Sequence, residues 1–139
     1  MFTPVSMRSA NTYKTIGVET SVSGATPHQL VSLLFDSLKQ SLAAAKASML
    51  AGDIPSKGKS ISRAVRLLEE GLKAGLNTQQ GGELAANLLS LYDYCIIRLS
   101  EANLRNDVKM IDEVIRLISP VADGWNEIRG DAAVQSYNG

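Results

Sequence analysis

Apolar residues recur along this chain at intervals of three and four in four separate stretches, the period of a helix turning about 100° per residue. In the first stretch Leu30, Val31, Leu34, Phe35, Leu38, Leu42, Ala45 and Met49 share one stripe. Thr26 stands where an N-cap hydroxyl is wanted, Pro27 suits a first helical position and Gly52 follows the stripe, so a helix is expected from Pro27 to about Ala51. In the second stretch Asp53 is placed to cap and Pro55 lies in the first turn. Ile54, Ile61, Ala64, Val65, Leu68 and Leu72 then make a narrower stripe that runs out near Gly75 to Asn77. Gly58 and Gly71 weaken this helix, each by about 1 kcal/mol relative to alanine.

The third stretch, Gly81 to Asn103, is apolar over an unusually wide arc. Leu84, Leu88, Leu91, Cys95, Leu99 and Ala102 form the stripe, and Ala85, Leu89, Tyr92 and Ile96 widen it to roughly 160°, beyond the ~100° a surface helix needs. A central position in the fold is the expectation. Tyr94 and Ile97 point the other way, among Asn87, Ser90, Arg98 and Glu101, so this apolar pair is either ordinary surface or a docking strip. In the fourth stretch Asn106 or Asp107 caps a helix whose stripe is Val108, Ile111, Val114, Ile115, Ile118, Val121, Ala122 and Trp125. Pro120 falls inside that pattern and predicts a kink or short break at Ile118 to Ser119.

Helices of about twenty residues with connections of about two to eight favour antiparallel neighbours. The fold class expected is therefore all-α, an up-down-up-down four-helix bundle over residues 26–129. Glu69 with Lys73 and Asp112 with Arg116 add favourable i,i+4 pairs. Residues 1–25 lack a helical period and read as an extended, partly flexible N-terminal arm. Tyr13, Ile16 and Val18 space its apolar groups so that it can lie in a groove. Residues 130–139 are small and polar, and read as a disordered tail.

Composition narrows the function. The chain has 139 residues and zero formal net charge, which suits one domain with a core of its own and disfavours a nucleic-acid partner. Lys39 to Lys73 carries seven basic and three acidic residues and Glu83 to Asp131 nine acidic and five basic, a weak asymmetry that solvated helix faces explain. Residues 1–13 have no continuous apolar core of a signal peptide and no run of about eighteen apolar residues occurs, so neither secretion by a cleaved signal nor membrane insertion is expected. The single cysteine, Cys95, lies in the apolar stripe and reads as a buried structural thiol, in keeping with a cytoplasmic protein.

The inventory for catalysis is thin. His28, the single histidine, sits in a first helical turn, where a solvent-facing or capping role is expected rather than catalysis. No Glu-x-x-His pair is present to build a metal site in a bundle, and Gly81-Gly82 matches neither phosphate-loop fingerprint. No cofactor and no metal are expected. Asn103, near a helix end, reads as structural. Asn87 lies within a helix on its polar side and is open between a local role and contact with a partner's backbone. Leu33 and Leu67 stand off their helices' stripes and, with Tyr94 and Ile97, would distribute apolar contact points around the outside of a bundle.

The run GGELAANLLSLYDYCIIRLSEAN closely resembles the signature of the FliS family of flagellar export chaperones, through Gly81, Gly82, Glu83, Leu84, Ala85, Asn87, Leu88, Leu91, Tyr92, Asp93, Tyr94, Leu99, Ala102 and Asn103. Tyr13 with Val18, Glu19 and Thr20 is similar to the family's N-terminal arm. Ala25, Thr26, Pro27 and Leu30 resemble the entry to its first helix, and Trp125, Glu127 and Ile128 its terminal helix. Leu34-Phe35-Asp36 departs from the family's Leu-Tyr-Asp by one hydroxyl, and the arm carries a few extra residues around Ser21 to Gly24.

The resemblance implies a non-enzymatic chaperone of the bacterial cytosol. It would bind the C-terminal helical region of flagellin, prevent premature polymerisation and hand the subunit to components of the flagellar type III export gate. Candidate contact residues are Tyr13, Ile16, Leu33, Leu67, Asn87, Tyr94 and Ile97. The alternative is a structural or adaptor bundle that binds another helical partner or self-associates, for example as a weak homodimer.

Overall fold

The computed structural model describes residues 24–77 and 79–128. Four helices follow one another: α1 (Pro27–Ala51), α2 (Ile54–Arg66, continued by a π-helical segment Leu67–Lys73), α3 (Gly82–Arg105) and α4 (Val108–Glu127). No strand occurs among the described residues.

Local chemistry sets the helix ends. Thr26 and Gln29 close a capping box, the Thr26 hydroxyl accepting from Gln29 N–H at 3.1 Å and Gln29 Oε1 accepting from Thr26 N–H at 2.9 Å. Gly52, at φ 74°, takes the left-handed turn that ends α1, so that its own N–H and that of Asp53 reach back to Met49 O and Ser48 O. Asp53 caps α2 through Ser56 N–H, and Asp107 caps α4 through Lys109 N–H. Asn106, at φ 55°, closes α3 instead.

The helices form a ring in which α1 packs on α2 and α4, and α3 packs on α2 and α4. Such a ring of antiparallel neighbours has no central member, which corrects the expectation for α3. The widest buried face belongs to α1, from His28 to Met49, whereas on α3 only Ala85, Tyr92, Cys95, Leu99 and Ala102 are buried. The core joins Leu34, Leu38 and Leu42 of α1 to Leu67, Leu68 and Leu72 of α2, Cys95 and Leu99 of α3, and Ile111, Val114 and Ile118 of α4.

The π-helical segment explains a second correction. Leu67 was expected off its helix's stripe and is fully buried. Widening the helix from Leu67 onward brings the adjacent pairs Leu67-Leu68 and Gly71-Leu72 inward together, against α1 on one side and α3 on the other. Gly71 belongs to this contact: a Cβ there would lie 2.9 Å from Leu34 Cδ2. Helix α4 runs from Val108 to Glu127 without the break expected before Pro120. The Ser119 hydroxyl donates to Ile115 O at 2.8 Å, one residue before Arg116 O, the carbonyl whose helical donor Pro120 removes. His28 is buried, not facing solvent, because it packs on the last turn of α4.

Candidate partner-binding surface

Tyr94 and Ile97 project from the outer face of α3 with 42% and 60% of their surface exposed, and Leu104, two turns on, is 85% exposed. Asn87 is exposed on the same face two turns before Tyr94. Their spacing gathers them within about a quarter-turn of the helix, opposite the buried side of Tyr92, Cys95 and Leu99. Asn87, Tyr94 and Ile97 follow from helical phase alone, and Leu104 was readable the same way, seven residues after Ile97.

A polar bracket borders this stripe. The Tyr94 hydroxyl donates to Glu113 Oε2 of α4 at 2.6 Å, and Arg98 Nε donates to Glu113 Oε1 at 2.7 Å. Arg98 also reaches Glu101 Oε1 at 3.4 Å, and its guanidinium carbon lies 6.0 Å from the centre of the Tyr94 ring. The hydrogen bond from Tyr94, and next that from Arg98, hold the Glu113 carboxyl below the usual carboxylate range. The bond to Glu113 raises the Tyr94 phenol and the Arg98 guanidinium above theirs. No sequence signal exposed Glu113, since it lies 19 residues from Tyr94 and 15 from Arg98.

A second apolar region lies at the start of α3. Lys73, the last residue of α2, bonds Asp93 Oδ1 at 2.8 Å, about three turns into α3. Earlier turns of α3 therefore pass beyond the end of α2. This is why Leu84, expected in the core stripe, is 62% exposed, and why Leu88 and Leu89 are half-buried. Ile54, at the first position of α2, is likewise exposed.

The other candidates separate. Leu33 is partly buried on α1 and packs against the core, and Leu67 is enclosed between α1 and α3. Tyr13 and Ile16 lie outside the described residues, as does the tail 130–139. Asn103 serves the fold through its backbone: its carbonyl accepts from Lys57 Nζ at 3.0 Å, with Asn106 Oδ1 accepting from the same ammonium at 3.1 Å. Cys95 is a free, buried thiol that burial pushes up to about 11. Among the described residues no group of three or more His, Cys, Asp or Glu is arranged to hold a metal, and no helix is long and apolar enough to cross a membrane.

Residues 9–132 match the family model described as flagellar protein FliS. The chain is 45% identical over 123 residues to the flagellar secretion chaperone FliS of Salmonella typhimurium, covering 88% of this chain and 91% of the relative. It is 42% identical over 115 residues to that of Escherichia coli, covering 83% and 85%. Against the flagellar secretion chaperone FliSB of Pseudomonas aeruginosa it is 41% identical over 122 residues, covering 88% and 96%. With residues 9–132 inside the family model and more than four fifths of the chain matched to each relative, the chain belongs to the FliS family of flagellar secretion chaperones, which act as chaperones and not as enzymes.

Proposed function

We propose that this chain binds the C-terminal helical region of newly made flagellin in the bacterial cytosol, keeps it from polymerising and delivers it to the flagellar export gate. The observation that carries this reading is the exposed apolar stripe Tyr94, Ile97 and Leu104 on α3. Its residues recur at helical spacing on α3, which suits the apolar face of a second helix laid along it. A client segment long enough to continue past Tyr94 would meet the uncovered start of α3, where Leu84, Leu88 and Leu89 extend the apolar surface. For the arm residues Tyr13 and Ile16 the proposal is that they compete with the client for this surface or line it jointly with the client; competition would lower net affinity by the free energy of arm docking.

A client that is disordered when free folds as it binds, so part of its interaction energy goes into ordering and release stays feasible. Mixing the protein with a peptide covering the flagellin C-terminal helices should raise helicity above the sum of the parts and give a negative heat capacity of binding. An unchanged circular-dichroism sum at saturation excludes the reading. Sedimentation of the free protein separates it from the adaptor alternative, in which the same stripe is consumed in self-association.

A further inference from the structure

Both carboxylate oxygens of Glu113 are spent on α3: one accepts from the Tyr94 hydroxyl and the other from Arg98 Nε, at 2.6 and 2.7 Å. Arg98 and Glu113 are each only 27% exposed, yet a single ion pair in contact with solvent contributes modestly to stability, so the bracket's effect on the fold is small. Its effect on Tyr94 is not. An exposed tyrosine on a helix ordinarily samples several rotamers, but this one is tied at its far end to the neighbouring helix, with the Arg98 guanidinium near its ring.

We propose that Glu113 is the positioning residue of the α3 surface: from α4 it holds the Tyr94 ring in one orientation beside Ile97, so that a client helix meets a preformed aromatic contact. The inference rests on the reading of α3 as the client-binding face. Arg98 completes the arrangement by compensating the Glu113 charge, so the border of the stripe presents a neutral phenol and a paired carboxylate to an apolar partner. A partner that found Tyr94 already ordered would be spared the ordering of one side chain, an effect of about three- to tenfold in affinity.

The test is a set of affinities for the flagellin C-terminal peptide, measured by calorimetry beside thermal melts of each full-length variant. Glu113→Ala should weaken binding about three- to tenfold with the melting midpoint nearly unchanged. Tyr94→Phe, which keeps the ring and removes the tether, should weaken it as much, and the double variant no further. Glu113→Gln, whose amide oxygen still accepts from the hydroxyl, should restore most of the loss. Ile97→Asp serves as the reference for the surface itself. If Ile97→Asp abolishes binding while Glu113→Ala and Tyr94→Phe bind like the parent, the positioning role is overturned and the surface stands. If Ile97→Asp also binds like the parent, the surface is overturned with it. Additive losses in the double variant show that Glu113 acts elsewhere than through Tyr94, which equally overturns the proposal.

Discussion

The rings of His28 and Trp125 stack with centroids 4.6 Å apart and planes 8° from parallel, and each side chain bonds the other's backbone carbonyl. Trp125 Nε1 donates to His28 O at 3.1 Å, and His28 Nε2 lies 2.8 Å from Trp125 O. A carbonyl only accepts, so Nε2 carries the proton, and Nδ1 is left as a buried atom without a partner. This clasp joins residues 97 positions apart and closes the ring of helices between the start of α1 and the end of α4.

The clasp contributes a stacked pair and two hydrogen bonds at a half-buried junction. His28→Ala should therefore lower the unfolding free energy by about 1–3 kcal/mol. Trp125 is the single tryptophan, so its fluorescence in urea titrations reports the junction directly. An unchanged midpoint would show that the clasp adds nothing to the fold.

Lys57 is 5% exposed and caps the C-terminus of α3, where backbone carbonyls lack helical partners and the dipole favours a cation. Lys57→Met keeps the packed stem and removes the ammonium. The expected cost is about 1–3 kcal/mol, with faster hydrogen exchange at the α3–α4 turn. Equal exchange at the Asp107 amide, which bonds Ala102 O, would contradict it.

Gly71→Ala sets two effects against each other. Alanine is favoured over glycine within a helix by about 1 kcal/mol, but its Cβ would meet both Leu34 methyls, at 2.9 and 3.2 Å, inside a filled core. Overpacking costs about 1–3 kcal/mol, so net destabilisation is expected. A raised melting temperature would show that α1 yields at no cost.

Ile97→Asp and Leu99→Ala, two residues apart, should behave oppositely. Ile97 is exposed, and its replacement should leave stability within about 0.5 kcal/mol while weakening client binding. Leu99 is fully buried, and its truncation should cost about 2–5 kcal/mol. Leu91, a member of the same apolar stripe, is only half-buried and should cost less than Leu99. Chemical denaturation of the three variants checks the order.

The Glu113 bracket has a definite pH sense. Glu113 titrates below its unfolded value of 4.5, so its contribution is fully present above that value and is lost as pH falls through the lower folded one. Tyr94 titrates above 10.0, so its contribution is present below that pH and is lost as pH rises through the higher folded value. Glu113→Gln should flatten the acid limb of the stability profile, and an unchanged limb would contradict the assignment. For Cys95, whose thiol is raised to about 11, thiol reagents near neutral pH should react only as fast as the bundle opens.

Helix positions were legible because their determinants are local. The Thr26 cap, the Gly52 turn, the Asp107 cap and the three-four spacing of Leu34, Leu38, Val114 and Ile118 are short-range properties of the chain. Side-chain phase on a regular helix is also local, which is why Asn87, Tyr94 and Ile97 could be placed on the outer face of α3. What periodicity could not supply was how far each neighbour reaches and where a helix departs from α-geometry. Leu84 is exposed because α2 ends at Lys73, and Leu67 is buried because the π-helical turn re-aims it between two other helices. His28 met Trp125, and Tyr94 met Glu113, across separations at which single-chain spacing carries no information. The sequence by itself determined the four amphipathic helices and the outward stripe of α3, through steric and hydrogen-bonding preferences within a few residues. Only tertiary packing decided which apolar groups were covered and which polar groups were paired, because burial and ion pairing depend on the surfaces that other helices bring.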